Sequence, residues 1–345
     1  MFPSLTKSLY KYLNNNLRRK TISGNKLLSL PKPFNPLSFS TLENSSKWEE
    51  LSIPVPYGVI AGKAWGNKSG FPVLGLHGYS DNAATYDRLI PQLHPSIYFV
   101  SIDFPGHGLS SHLPPGVFYT YLDFLISVRR AVNYLKWDKF SIVGHSMGAG
   151  IGALYSSVFH SDVEQLVLLD LHKSVSTVNE EDKNYADHLN DQITFLFKTE
   201  AKLKEPTPLY SYKDAIQRLI RGTSNALDEN TAQVLLTRGA RKVQGGEDEM
   251  WEYTRDLRLV NILLQPYTND DIFAMLHNIK CRVMMLKAEG GTHYEDDSVF
   301  ERTIALYKKN CQEFQYHQVK GSHFLHLDNP LETAGHINRF LLGLD

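Results

Sequence analysis

At 345 residues, with 42% hydrophobic and 21% charged side chains, the chain has the composition of an ordinary globular protein. It is long enough for one large α/β domain or a core plus an insertion. A formal net charge of −1 supplies no long-range field for nucleic acid or anionic lipid, and no apolar run reaches the length of a membrane span. The two cysteines, Cys281 and Cys311, make no disulfide framework and point to a reducing, intracellular compartment.

Residues 1–42 form a basic N-terminal extension carrying Lys7, Lys11, Arg18, Arg19, Lys20, Lys26 and Lys32, with no acid until Glu43. At helical spacing, Leu5, Leu9, Leu13 and Leu17 share one face, with Lys7, Lys11 and Arg18 opposite. That is the pattern of a mitochondrial transit segment; Pro3 and Asn14-Asn15-Asn16 weaken the helix and leave a plain tail on a cytoplasmic protein as the other reading.

In chain order, Trp48 to Val55 and Val59 to Trp65 predict an antiparallel hairpin. Phe71 to Leu76 is a compact strand, Ala83 to Leu93 suits a helix, and Ser96 to Ile102 is a second buried strand. Tyr121 to Leu135 is an amphipathic helix with Arg129 and Arg130 outward. Next comes Phe140-Ser141-Ile142-Val143-Gly144-His145-Ser146-Met147-Gly148, then a helical run from Ala149 to Phe159 and a strand from Leu166 to Asp170. From Leu171 to about Asn278, strand-like runs give way to helical ones: 180–200, 212–221, 232–241, 251–264 and 271–276. The α/β rhythm resumes with strands at 282–286 and 313–319 and helices at 298–310 and 331–342.

Alternating strands and helices predict a mostly parallel, doubly wound sheet, with ligands at the carboxyl ends of its strands. A helical cap at 172–278 is inserted into a core made of 43–171 and 279–345.

Gly144-His145-Ser146-Met147-Gly148 between strand and helix fits G-x-S-x-G, the turn that lifts a serine hydroxyl clear of a sheet edge. A rival pattern overlaps it: Gly148-Ala149-Gly150-Ile151-Gly152-Ala153 fits G-x-G-x-x-A, with Asp170 about 20 residues on, as a dinucleotide site requires. In that fingerprint the first glycine should end the strand, whereas three residues intervene here after Gly144.

A serine needs a base, and the base a third group to hold it. His323, in the loop after the final strand, is the candidate base. The backbone N–H of Met147, with that of Gly78 or Tyr79 after His77, would face an oxyanion formed at Ser146. Asp103 and His107 read as turn-shaping residues, and no His, Cys or Asp cluster has metal spacing.

Leu76 to Tyr86, Asp103 to Gly116, Gly144 to Gly148 and Gly321 to Pro330 together resemble an α/β-hydrolase. Within that superfamily they are similar to the serine hydrolase-like proteins of animals, including the insect "kraken" type. The resemblance implies an α/β-hydrolase fold with a cap, Ser146 as nucleophile, His323 as base, and Gly78, Tyr79 and Met147 as oxyanion hole. A serine at the nucleophile position points to ester-type chemistry on a small-molecule ester or acyl substrate without a cofactor, and the Leu, Tyr and Phe of the cap helices suggest an apolar pocket. In such enzymes the acid follows the strand that resumes after the cap; by counting it would fall at Gly291, which carries no carboxylate. Glu295, four residues on, is the expected acid, with Asp170 its rival.

Overall fold

Short apolar runs separated by helical stretches fold into an eight-stranded sheet in the computed structural model, which describes residues 47–176, 185–243, 249–263, 267–291 and 294–344. All lie in one unit, Phe39–Asp345; the basic extension and the Gly245-Gly246 turn fall outside the described residues.

Strands β1 (Trp48–Val55) and β2 (Gly58–Trp65) form the antiparallel hairpin. After β3 (Phe71–Leu76) and β4 (Ile97–Ile102) come helix α1 (Tyr121–Leu135), β5 (Phe140–His145), α2 (Met147–Val158) and β6 (Val163–Leu169). Helix α1 starts where Thr120 and Asp123 form a reciprocal capping box, and it stops at Lys136 in the left-handed region.

The stretch predicted as one helix from Ala83 to Leu93 is instead two 3-10 turns, Ala83–Tyr86 and Ile90–Gln92. Pro91 has no N–H to continue a helix. The first turn is fixed from outside, because Ala83 N–H donates to the Asp103 carboxylate at 2.7 Å.

Between β6 and the next long strand lie α3 (Tyr185–Lys202), α4 (Tyr212–Gly222), α5 (Glu229–Gly239), the short strands β7 (Ala240–Val243) and β8 (Met250–Tyr253), a 3-10 turn Leu257–Asn261, and α6 (Asn269–Leu276). The pair β7–β8 departs from the all-helical expectation, which put helices at 232–241 and 251–264. Trp251 and Tyr253 lay their rings on Tyr212 and Tyr210, and that packing favours strand over the helical period.

The chain returns through β9 (Arg282–Gly290), α7 (Asp297–Asn310), β10 (Glu313–Ser322), the short α8 (Leu325–Asp328) and α9 (Pro330–Leu342). Sheet order is β1-β2-β4-β3-β5-β6-β9-β10, parallel from β4 onward. Both faces are covered. Leu74, Ile142, Leu166 and Val283 point into one apolar cluster, while their neighbours Val73, Val143, Val167 and Met284 point into another. This is why the central strands read as unbroken apolar runs.

A third cluster joins Ile216, Leu227, Leu235 and Leu236 of the inserted stretch to Phe324 and Leu327, beside His323. Buried Arg238 of α5 adds a charged tie, donating to Asp103 at 2.7 Å and to Glu50. Asp103 also accepts from Leu109 N–H, so it organises the rim loops.

Gly148, Gly150 and Gly152, the glycines of the dinucleotide-like pattern, all lie inside α2. A Cβ on Gly148 would stand 2.1 Å from the Leu76 carbonyl oxygen. The glycine is there for strand–helix approach. Gly148→Ala is therefore expected to destabilise the fold by about 1–3 kcal/mol, since backbone cannot yield as a side chain would. Thermal unfolding of the variant measures it, and an unchanged midpoint would contradict the close approach.

Candidate active site

The candidate residues stand just past the carboxyl ends of neighbouring strands. In register, His145 pairs with Leu169 and Leu169 with Leu286. Ser146 N–H donates to Leu169 O at 3.0 Å, and Asp170 N–H donates to Leu286 O at 2.8 Å. Ser322 pairs with Gly290, which brings His323 to the same rim.

Ser146 sits at φ 51°, ψ −120°, a conformation that costs a non-glycine residue energy and persists only where the surroundings impose it. Helix α2 begins at the next residue, so Met147 N–H belongs to the first turn, which has no acceptor within the helix. The Gly78 backbone packs directly on the turn: a Cβ there would lie 2.8 Å from His145 Nδ1 and 3.3 Å from Ser146 Cβ. Tyr79 follows, its hydroxyl donating to Leu259 O at 2.9 Å across to the inserted stretch. Behind this loop, buried His77 accepts from Phe104 N–H on Nε2 and contacts Gly78 O through Nδ1, which fixes the neutral Nδ1–H tautomer. Burial holds its pKa below the ordinary imidazole value.

His323 Nδ1 lies 2.7 Å from Asp170 Oδ2, and the Asp170 side chain is fully buried. Asp170 Oδ1 accepts from Lys287 Nζ at 2.6 Å and from Ala288 N–H at 2.9 Å. Burial works to raise the Asp170 pKa, but the bond from His323 and the Lys287 ammonium outweigh it and leave the carboxyl below its usual value. His323 itself is lowered, chiefly by burial, against the opposing pull of Asp170.

The expectation that Glu295 reaches His323 is not met. Glu295 Oε1 accepts from Lys173 Nζ at 2.6 Å, and its Oε2 lies 3.1 Å from His172 Nε2. Lys173 is wholly buried and also donates to Asn269 Oδ1 at 2.9 Å and to Ser174 O. The physical reason for the exchange is at Gly291, the position where counting puts the usual acid. A Cβ there would stand 2.3 Å from both Asp170 carboxylate oxygens. One site cannot hold both groups.

Three further residues, Lys287, Tyr294 and His145, contact the site, and none is assigned a role by the motifs. Lys287, on the last buried turn of β9, reads as an interruption of an apolar strand, and that break was the one available signal. Tyr294 Oη lies 3.2 Å from His323 Nε2 and its ring meets the imidazole edge-on. His145 donates from Nε2 to the His323 carbonyl at 2.9 Å, while its Nδ1 faces Asp81 Oδ2 at 3.6 Å without a hydrogen bond. Among the described residues, no group of three or more His, Cys, Asp or Glu is placed to hold a metal ion.

The family described as alpha/beta hydrolase fold matches residues 72–330, and the chain belongs to it. It is 36% identical to the serine hydrolase-like protein of Danio rerio, over 88% of this chain and 91% of that one. It is 33% identical to a probable serine hydrolase of Drosophila melanogaster, over 87% and 89%. Among solved structures, a hypothetical protein of Pseudomonas aeruginosa PAO1 superposes with a TM-score of 0.70 at 29% identity, covering 86% of this chain and 99% of that one.

Removing one member of a buried ion pair strands the other, at a cost of about 3–5 kcal/mol. Glu295→Ala is accordingly expected to lower unfolding stability by that amount, with Lys173 left uncompensated. Chemical denaturation measures the loss; a fully stable variant would mean that Lys173 finds another partner.

Proposed function

We propose that the protein is a serine hydrolase cleaving an ester or related acyl substrate, with Ser146, His323 and Asp170 as its triad. The single observation carrying this reading is the 2.7 Å contact from His323 Nδ1 to buried Asp170, on the rim that also presents Ser146 at φ 51°. Asp170 takes the role first expected of Glu295, which is engaged elsewhere. The inserted stretch at 172–278 acts as a cap over the rim of the 43–171 and 279–345 core, and its apolar side chains favour an apolar acyl group.

In the reaction, Asp170 holds the imidazole with Nδ1 protonated, so the lone pair is on Nε2, which takes the Ser146 proton as Oγ bonds the acyl carbon. The carbonyl oxygen gains the negative charge, and the N–H groups of Met147 and of Gly78 or Tyr79 are its donors. Nε2–H then protonates the leaving oxygen as its bond to carbon breaks, which gives the acyl-enzyme. A water gives its proton to Nε2 and bonds the acyl carbon. Ser146 Oγ leaves with that proton, and the acid is released.

Ser146→Ala is expected to abolish both hydrolysis of a graded ester panel and labelling by a fluorophosphonate. Continued labelling of that variant would move the nucleophile elsewhere. Wild-type protein that neither labels nor hydrolyses would favour a ligand-binding protein on a hydrolase scaffold.

The base must be neutral to work, and burial keeps the His323 pKa low. The acidic limb of kcat/KM is therefore expected below the ordinary histidine value of about 6.5. Asp170 raises the His323 pKa, so Asp170→Asn should move that limb lower still. The same substitution should reduce kcat by about 10⁴ by losing the correct tautomer. A limb that moved upward would contradict the assignment of Asp170.

A further inference from the structure

The nitrogen that must take the Ser146 proton already has a donor. Carboxylate Asp170 can only accept, so His323 donates from Nδ1 and its lone pair is on Nε2. Tyr294 Oη–H points at that lone pair from 3.2 Å. Among the described residues, no hydrogen bond joins Ser146 Oγ to His323, whose two nitrogens are engaged by Asp170 and Tyr294.

Tyr294 is held there from both sides in sequence. Before it, Gly291 is pressed on the Asp170 carboxylate and its N–H donates to Ala288 O at 3.1 Å. After it, Glu295 is drawn into Lys173 and His172, and Asp296 O accepts from Val299 and Phe300 at the start of α7. Glu295 is thus tied through Lys173 to the residues after β6 and to Asn269 of α6, and Asp296 is tied to its own helix. The ring packs against the core cluster, so the hydroxyl is aimed, and a swing away needs local rearrangement.

Position gives this contact its meaning, and the inference rests on the hydrolase reading above. During acyl transfer the atom next to Nε2 is first Ser146 Oγ, then the leaving-group oxygen, then the attacking water. A group hydrogen-bonded to Nε2 in the free protein therefore marks the leaving-group side of the site.

We propose that Tyr294 is a specificity-determining stop: its hydroxyl occupies the catalytic nitrogen of His323 until the substrate's leaving group displaces it. Substrates whose leaving group can push the phenol aside gain a free base. Those whose leaving group is too bulky for the space beside the ring do not. Glu295 is the positioning residue that keeps the stop in place.

The test uses the full chain as wild type, Tyr294→Phe and Tyr294→Ala. Loss of one neutral hydrogen bond should speed fluorophosphonate labelling of Ser146 by about 2- to 10-fold in Tyr294→Phe. Tyr294→Ala should in addition raise kcat/KM for esters of bulky alcohols more than for methyl esters with the same acyl group. The ¹⁵N shift of His323 Nε2, read at a pH where the ring is neutral, should move toward that of an unbonded acceptor in Tyr294→Phe. A purely structural tyrosine would leave that shift alone.

Slower or unchanged labelling in Tyr294→Phe overturns the proposal, because the hydroxyl would then assist or stand idle. An unmoved nitrogen shift overturns it whatever the labelling. If no form labels but the shift moves, the hydrolase reading fails while Tyr294 stands as the occupant of Nε2.

Discussion

Ser146 N–H bonds to Leu169 O and Asp170 N–H to Leu286 O, so two main-chain hydrogen bonds hold the proposed nucleophile, the proposed acid and the Lys287 strand in one register. Slipping β6 by one residue would turn the Asp170 side chain to the other face of the sheet and leave its charge without His323 or Lys287. The juxtaposition of Ser146, Asp170 and His323 is therefore a property of the β5-β6-β9-β10 ladder. The Gly78–Asn82 loop and the residues Gly291, Tyr294 and Glu295 lie against a frame that the ladder has already set.

That dependence explains what could be read from the chain alone. The elbow is local: Gly144, Ser146 and Gly148 must lie within five residues because strand and helix cross there, with Leu76 O filling the space a Gly148 side chain would need. Local constraints leave local patterns. The α/β rhythm is legible for a similar reason, since both faces of the sheet are buried and each central strand is apolar throughout. The placement of Asp170 rather than Glu295 beside His323 leaves no such trace. The Asp170 carboxylate fills the space that a side chain at position 291 would need, and the two positions are far apart in sequence. A glycine where an acid is usual was the clue, because it says that something else fills the space. The β7–β8 pair escaped for another reason. Four-residue strands such as 250–253 are too short for a period of two to stand out against a helical one.

The buried charges beside His323 fall into two hydrogen-bonded groups. Asp170 shares its charge between His323 and Lys287, while Glu295 belongs to Lys173 and His172. Each carboxylate is matched by a cation in contact, so neither remains as an unpaired buried charge. The arrangement also fixes what Asp170 can do for the base. Lys287 stabilises the carboxylate and so weakens its pull on the His323 proton, and burial pushes the same way.

Burial lowers the pKa of the proposed base, His323, and in the free protein its Nε2 faces the Tyr294 hydroxyl. The two facts fit together physically. A neutral, buried base with an unsatisfied nitrogen would cost desolvation free energy, on the order of 1–3 kcal/mol, and a donor of moderate strength relieves it. Tyr294 supplies such a donor. Its bond to a neutral nitrogen is weak enough for an incoming oxygen to replace. Glu295, the acid expected from the sequence and next in the chain to Tyr294, is instead bonded to Lys173, so its contribution to the proposed base runs through Tyr294 and not through contact with His323.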